Sequence, residues 1–161
     1  MRGLVQRVLR ASVSVGGEIG GEVGGEIGVE IVGEIVGEIG QGLCVFVGVT
    51  QGDGSIDVHR MAEKIWNLRV MDDDAGFMNL SIAETTKTVL IVSQFTLYGD
   101  TKRGRRPSWA KAAKPELAEP VIDALVEELR RLGATVQTGR FRTEMLVDLV
   151  NDGPVTVILD T

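Results

Sequence analysis

Valines interleave with serines and charged residues from Leu4 to Val15, and an almost unbroken apolar stretch runs from Gly42 to Thr50. The first pattern predicts a strand with one buried face, the second a mostly buried strand. A third apolar run, Thr88 to Val92, predicts another buried strand and closes on Ser93-Gln94-Phe95-Thr96-Leu97. Helical spacing takes over from Ile56 to Val70, with Val58, Met61, Ala62, Ile65, Trp66 and Leu68 on one side and Ser55 or Asp53 as a cap. It returns from Pro115 to Leu132, through Leu117, Val121, Ile122, Leu125, Val126 and Leu129, and stops at Arg130, Arg131 and Gly133. Ala134 to Thr138, Met145 to Asn151 and Val155 to Asp160 predict the remaining strands, and Asp72-Asp73-Asp74 followed by Ala75-Gly76 predicts a turn. This order predicts a single α+β domain over 1–161: an antiparallel sheet or partial β-barrel with two helices.

One segment departs from ordinary patterning. Gly-Glu-Ile or a close variant recurs every four residues from Gly17 to Ile39. Four is even, so in an extended chain Glu18, Glu22, Glu26, Glu30, Glu34 and Glu38 share one face, and Ile19, Val23, Ile27, Ile31, Ile35 and Ile39 share the other. A helix is disfavoured, because each glycine costs about 1 kcal/mol relative to alanine there. The segment 17–39 therefore predicts a lengthened antiparallel β-ribbon that turns at Gly16-Gly17, Gly20-Gly21 or Gly24-Gly25.

Composition narrows the chemistry. At 161 residues, 43% hydrophobic and 25% charged, the chain matches one globular domain. Met1-Arg2-Gly3 leads straight into a strand and no apolar run is long enough to span a bilayer, which predicts a cytoplasmic protein without membrane association. The net charge of −6 is concentrated in the six ribbon glutamates, and a basic cluster stands at Lys102, Arg103, Arg105 and Arg106, so phosphate contact stays open despite the total. Cys44 sits inside a buried strand pattern and predicts a core residue. One cysteine and one histidine, His59, cannot build the usual zinc site, and His59 predicts a surface position. Ser93 has no glycine-flanked elbow and no histidine nearby in the chain, and Gly99 to Gly104 lacks the spacing of a phosphate-binding loop. Hydroxyls, one amide and backbone groups beside a run of cations remain. Such a site suits an already activated ester, for which orientation and oxyanion stabilisation supply most of the help, without metal or cofactor.

Three stretches carry a more specific signal: Ser93-Gln94-Phe95-Thr96-Leu97-Tyr98-Gly99-Asp100, Gly104-Arg105-Arg106-Pro107-Ser108-Trp109 and Asn151-Asp152-Gly153-Pro154-Val155-Thr156. With Arg7 to Val13 and Gly48-Val49-Thr50, they resemble the hallmark stretches of the D-aminoacyl-tRNA deacylases, and the resemblance covers nearly the whole chain apart from the repeat. It implies a homodimer that hydrolyses the ester between a D-amino acid, or glycine, and the 3′-terminal adenosine at the tRNA acceptor end. It implies further that Gly153 and Pro154, joined by a cis peptide, form a backbone wall that enters the partner's pocket and excludes the side chain of an L-amino acid. On the same resemblance Ser93 and Gln94 orient the adenosine or the ester, and Phe95 shapes the pocket and offers its N–H to the oxyanion. Thr96 positions the substrate, Met145 and Asn151 belong to the substrate-binding set, and Lys102, Arg103, Arg105 and Arg106 meet phosphates. Two other readings stand beside the hydrolase: a tRNA-binding module without turnover, suggested by the basic loop, and an assembly scaffold built on the Gly-Glu-Ile ribbon.

Overall fold

The computed structural model describes the backbone of all residues except 20–21, 24–25, 28–30 and 103, and the side chains outside 17–32 and 103. Strand β1 (Arg2–Ile19) is the spine. One edge pairs antiparallel with β10 (Met145–Asp160), from Arg2 opposite Asp160 to Val15 opposite Met145. The other edge is shared: Arg2 to Val8 pair with β5 (Gly42–Gly48), and Ala11 to Ile19 pair with β4 (Ile31–Ile39). From β5 the sheet continues to β8 (Thr88–Ser93) and β9 (Thr135–Thr138), both in parallel pairings.

The sheet is therefore mixed, which corrects the expectation of an antiparallel one. The connections explain it: helix α1 (Ser55–Trp66) lies between β5 and β8, and helix α2 (Pro115–Leu132) between β8 and β9. A strand that follows a helical crossover returns in the same direction as the strand before it.

Parallel pairing under helices buries both faces of a strand, and the side chains sort accordingly. Val89 and Ile91 of β8, with Leu43, Val45 and Val47 of β5, pack against Met61, Ile65, Leu125 and Leu129 of the helices. Leu90, Val92 and Cys44 point the other way, into a second core with Val8, Ala11, Val13 and Ile39. Burial pushes the Cys44 thiol up to about 12, so it is an inert core group, as its strand position predicts. The second core is the interior of a nearly closed barrel. Closure depends on Gly37 of β4, where an added Cβ would lie 2.4 Å from the Thr138 carbonyl oxygen at the end of β9.

Helix α2 has the predicted limits, with Pro115 opening it and Gly133 ending it at φ 108°. Helix α1 ends at Trp66, short of Val70, and neither Ser55 nor Asp53 caps it; Gly54 does, its N–H donating to Asp57 Oδ2 at 3.0 Å. Asp53 instead accepts the Thr50 N–H at 2.7 Å. The aspartate turn forms between β6 (Met71–Asp72) and β7 (Met78–Leu80), with Asp73 accepting from the N–H groups of Ala75 and Phe77. The two C-terminal strands prove to be one, β10. No described helix is long and apolar enough to cross a membrane.

In the repeat, β2 (Glu22–Val23) pairs antiparallel with β3 (Glu26–Ile27), and the expected turn residues at 20–21 and 24–25 lie outside the described residues. The uniform-face expectation fails on the returning limb. Val13 lies opposite Gly37 but Ser14 lies opposite Ile35, leaving Val36 unmatched in a bulge that inverts the alternation. Ile39 is buried at 4% exposure, Ile35 is 61% exposed, and Val36 packs on the second core instead. The faces of the ribbon side chains at 17–32 lie outside the described residues.

Two outcomes follow for stability. Gly37→Ala places a methyl against a backbone carbonyl and is expected to cost about 1–3 kcal/mol, whereas Gly40→Ala, with nothing within 4 Å of the added carbon, leaves Tm nearly unchanged; thermal denaturation of both compares them. Between the helices, hydrogen bonds from Arg131 and then from His59, whose Nδ1 lies 2.9 Å away, hold the Glu128 carboxyl down at about 2. A lowered carboxylate stabilises the fold above its ordinary titration range and loses that contribution as the pH falls toward about 2. The stability gap between the parent and Glu128→Gln, followed by denaturant titration, is therefore expected to close on acidification and to shrink in salt.

Candidate functional site

The end of β8 opens into a cavity of about 550 Å³. Gln94 N–H donates to the Val47 carbonyl at 2.8 Å, which carries the β8–β5 pairing one step past Ser93 before the chain tightens into a 3₁₀ turn, Phe95–Tyr98. The turn throws Phe95 outward: it is 54% exposed and lines the cavity, so it is no core aromatic. The Trp109 ring meets it edge to face, centroids 5.5 Å apart. Gly99 makes this contact possible, because a Cβ there would stand 2.5 Å from the Trp109 ring.

From behind, Arg2 steadies the same turn. Its guanidinium pairs with Asp160 at 2.8 Å, donates to the Leu97 carbonyl at 3.4 Å and lies 5.5 Å from the centre of the Tyr98 ring. Burial pushes the Tyr98 hydroxyl up to about 12, so it stays neutral at physiological pH.

Of the residues singled out from the sequence, Ser93, Gln94, Phe95 and Met145 line the cavity. Thr96 reaches it only through Gln94, whose Nε2 donates to the Thr96 hydroxyl. Asn151, Gly153 and Pro154 lie elsewhere, in β10. Between Gln6 opposite Thr156 and Val8 opposite Asn151 the pairing slips, so that residues 152–155 bulge out beside Arg7. The Gly153-Pro154 peptide is cis and Gly153 has φ 118°, a conformation that favours glycine. Asn151 Nδ2 donates to the Val155 carbonyl at 3.1 Å, tying the base of the bulge. Lys102, Arg105 and Arg106 are exposed on the loop between the bridged residues Asp100 and Ser108, one residue from Trp109. Arg103 lies outside the described residues.

Five residues given no role from the sequence also belong to the site. Trp109 and Phe141 wall the cavity, and Lys114 and Arg142 are the only formally charged residues in its described lining. Arg7, 6% exposed, supports the bulge: Nη1 donates to the Val70 carbonyl at 2.8 Å and to Asp72 Oδ1 at 2.9 Å, and Nε stands 3.0 Å from Asp152 Oδ2 without an aligned hydrogen bond. The slip of register opposite Arg7 marks its importance, and no sequence period reports such a slip. His59 sits on α1, paired with Glu128, and does not line the cavity.

A family model described as D-Tyr-tRNA(Tyr) deacylase matches residues 4–160, a range that contains the cavity, the exposed aromatic at the strand end and the cis Gly-Pro bulge. The chain belongs to that family. A D-aminoacyl-tRNA deacylase of Symbiobacterium thermophilum is 50% identical over 161 residues, covering 100% of this chain and 96% of that protein. One from Heliobacterium modesticaldum is 47% identical over 160 residues, at 99% and 96% coverage. Among solved structures, a c-Myc DNA Unwinding Element Binding Protein superposes with a TM-score of 0.86 at 35% identity, covering 100% of this chain and 99% of that one. A probable eukaryotic D-amino acid tRNA deacylase superposes at 0.76 and 15% identity, covering 99% and 98%, a likeness of fold.

Gly99→Ala tests how the cavity wall is held. The added methyl is expected to displace Trp109 from Phe95 and to raise quenching of Trp109 fluorescence by acrylamide, measured with Trp66→Phe in the background so that one tryptophan reports.

Proposed function

We propose that the protein is a D-aminoacyl-tRNA deacylase: it hydrolyses the ester between a D-amino acid, or glycine, and the 3′-terminal adenosine of tRNA, and spares L-aminoacyl esters. Family membership over nearly the full chain supports the activity. The observation that carries the mechanism is the separation of two halves within one chain. Ser93, Gln94, Phe95 and Met145 line the cavity, while the Gly153-Pro154 bulge rises from β10 beside Arg7 and residues 151–155 are absent from that lining. In this reading the bulge acts on a substrate in the cavity of a second copy. β10 is 16 residues long and, among the described residues, pairs with β1 alone and leaves its other edge open, which suits such a partner.

In this homodimer, backbone of the partner's bulge stands where the side chain of an L-amino acid would project. Ser93 and Gln94 orient the ester, the latter fixed by its bond to Thr96, and the Phe95 N–H faces the developing oxyanion. Thr96 thus positions the amide rather than attacking. No imidazole reaches the cavity, which agrees with an ester activated by its own nucleoside rather than with a serine–histidine pair. Lys102, Arg103, Arg105 and Arg106 meet acceptor-stem phosphates, and Asn151 serves the substrate indirectly by closing the base of the bulge. The 17–39 segment is a ribbon lengthened by repetition and separate from the chemistry, within a single domain that acts in the cytoplasm.

Matched D- and L-aminoacyl-tRNA decide the matter. The D ester is expected to lose its amino acid and the L ester to persist; salt-sensitive binding with no free amino acid from either would instead leave a tRNA-binding module. Gly153→Ala brings a methyl 2.7 Å from a Val155 methyl at a φ unsuited to alanine and is expected to lower the D-over-L ratio of kcat/KM by roughly tenfold. An unchanged ratio removes the bulge from enantiomer selection.

A further inference from the structure

The described walls of the cavity are mainly aliphatic and aromatic, and the two formal charges among them, Lys114 and Arg142, are both positive. Neither enters an ion pair among the described residues, although six of the eleven described arginines do. Arg142 is held besides in a conformation that non-glycine residues rarely adopt, φ 57°, within a turn closed by the Thr143 hydroxyl donating to the Arg140 carbonyl at 2.9 Å. Left-handed backbone at an ordinary residue costs of order 1–2 kcal/mol and is kept where surrounding structure imposes it. The turn thus holds an uncompensated guanidinium at the cavity wall. The neighbouring groove past Phe141 is of mixed charge, lined by Glu119, Asp123 and Glu127 and by Arg130 and Arg140.

We infer that Lys114 and Arg142 form a subsite for the phosphate that joins the 3′-terminal nucleoside of the substrate to the rest of its chain. The inference rests on the tRNA-ester reading above and adds to the basic loop a second, separate set of phosphate contacts at the reacting nucleotide itself. The substrate's own charges orient it: an aminoacyl ester carries one cation near the scissile bond, the α-ammonium, and one anion on the far side of the ribose. A cavity with cationic walls repels the first and attracts the second, so only one polarity of entry is favourable. Arg142 offers a planar fork to two phosphate oxygens and Lys114 a point charge.

Adenosine 5′-monophosphate and adenosine, titrated calorimetrically into the protein, isolate the phosphate. The monophosphate is expected to bind the parent more tightly, and the affinity ratio of the two is expected to fall about tenfold in Lys114→Ala/Arg142→Ala and to be partly kept in Arg142→Lys. In parallel, the kcat/KM ratio of D-aminoacyl-tRNA over D-aminoacyl-adenosine is expected to fall about as far in the double variant, chiefly through KM, with the salt slope reduced by roughly 0.7 per lost contact. Equal affinities of the parent for the two nucleosides, or ratios unmoved by the double variant, overturn the subsite. A parent that cleaves neither D ester overturns the functional reading instead, and the calorimetric comparison still decides the subsite.

Discussion

Burial of β8 on both of its faces is the constraint on which the rest of the molecule depends. Val89 and Ile91 need the helices and Leu90 and Val92 need the barrel interior, so the strand has no freedom to rotate or slip by one residue without sending four apolar side chains into the wrong layer. Its last residue is thereby fixed in position and direction. Ser93 emerges at the rim of the sheet, the Gln94–Val47 hydrogen bond holds one more step, and the turn that follows exposes Phe95 to the cavity. A site whose groups are positioned by backbone is well placed to use backbone donors, because the sheet that orients them reorganises little during reaction.

The second half of the site answers to a different anchor. Arg7 is a buried cation in β1, and taking it out of water is tolerable only because the Val70 carbonyl, Asp72 and Asp152 surround it. Two of these come from the β6 region and one from the bulge itself. The same guanidinium that is neutralised by this arrangement therefore pins the aspartate adjoining Gly153, and an added Cβ at Gly153 would meet its Nη2 at 3.2 Å. Strand β1 carries Arg7 and also pairs with β5, the strand beside β8. Cavity and bulge are thus positioned by strands of one sheet, an arrangement compatible with the proposed pairing of two copies.

How much of this was legible in the sequence varied with the range of the forces involved. Helix α2 was read with its correct limits because its signals are local: a proline at the start, apolar residues at helical spacing, a glycine at the end. Helix α1 was overrun to Val70 because Leu68 and Val70 continue the apolar pattern, while the chain in fact leaves the helix after Trp66 and buries Val70 in the same core from an extended segment. The ribbon parity failed at Val36, where pairing with β1 and packing on the barrel core outweighed the regular repeat. The parallel pairings of β8 were in principle visible in the strand–helix–strand order, but the antiparallel β1, β4, β5 and β10 dominated the expectation. At the site, motif stretches contain Ser93, Gln94, Phe95, Trp109, Gly153 and Pro154, whereas Lys114, Phe141 and Arg142 join the cavity lining only through tertiary folding.

Charge shows the same division between local and global. A net charge of −6 argues against a polyanionic partner only if charge is spread evenly, and here it is not. Six glutamates recur along the ribbon, one of which, Glu34, is met by Arg140 at 2.9 Å. The cavity, by contrast, has two cations and no carboxylate among its described lining residues, and the Asp100–Ser108 loop presents three described cations to solvent. Over distances beyond a Debye length of about 8 Å the ribbon's field is screened in physiological salt, so an approaching polyanion responds chiefly to the nearer surface. Acidic character of the chain as a whole and affinity of this face for phosphate are thus compatible, and the repeat can raise the total negative charge without opposing the chemistry at the end of β8.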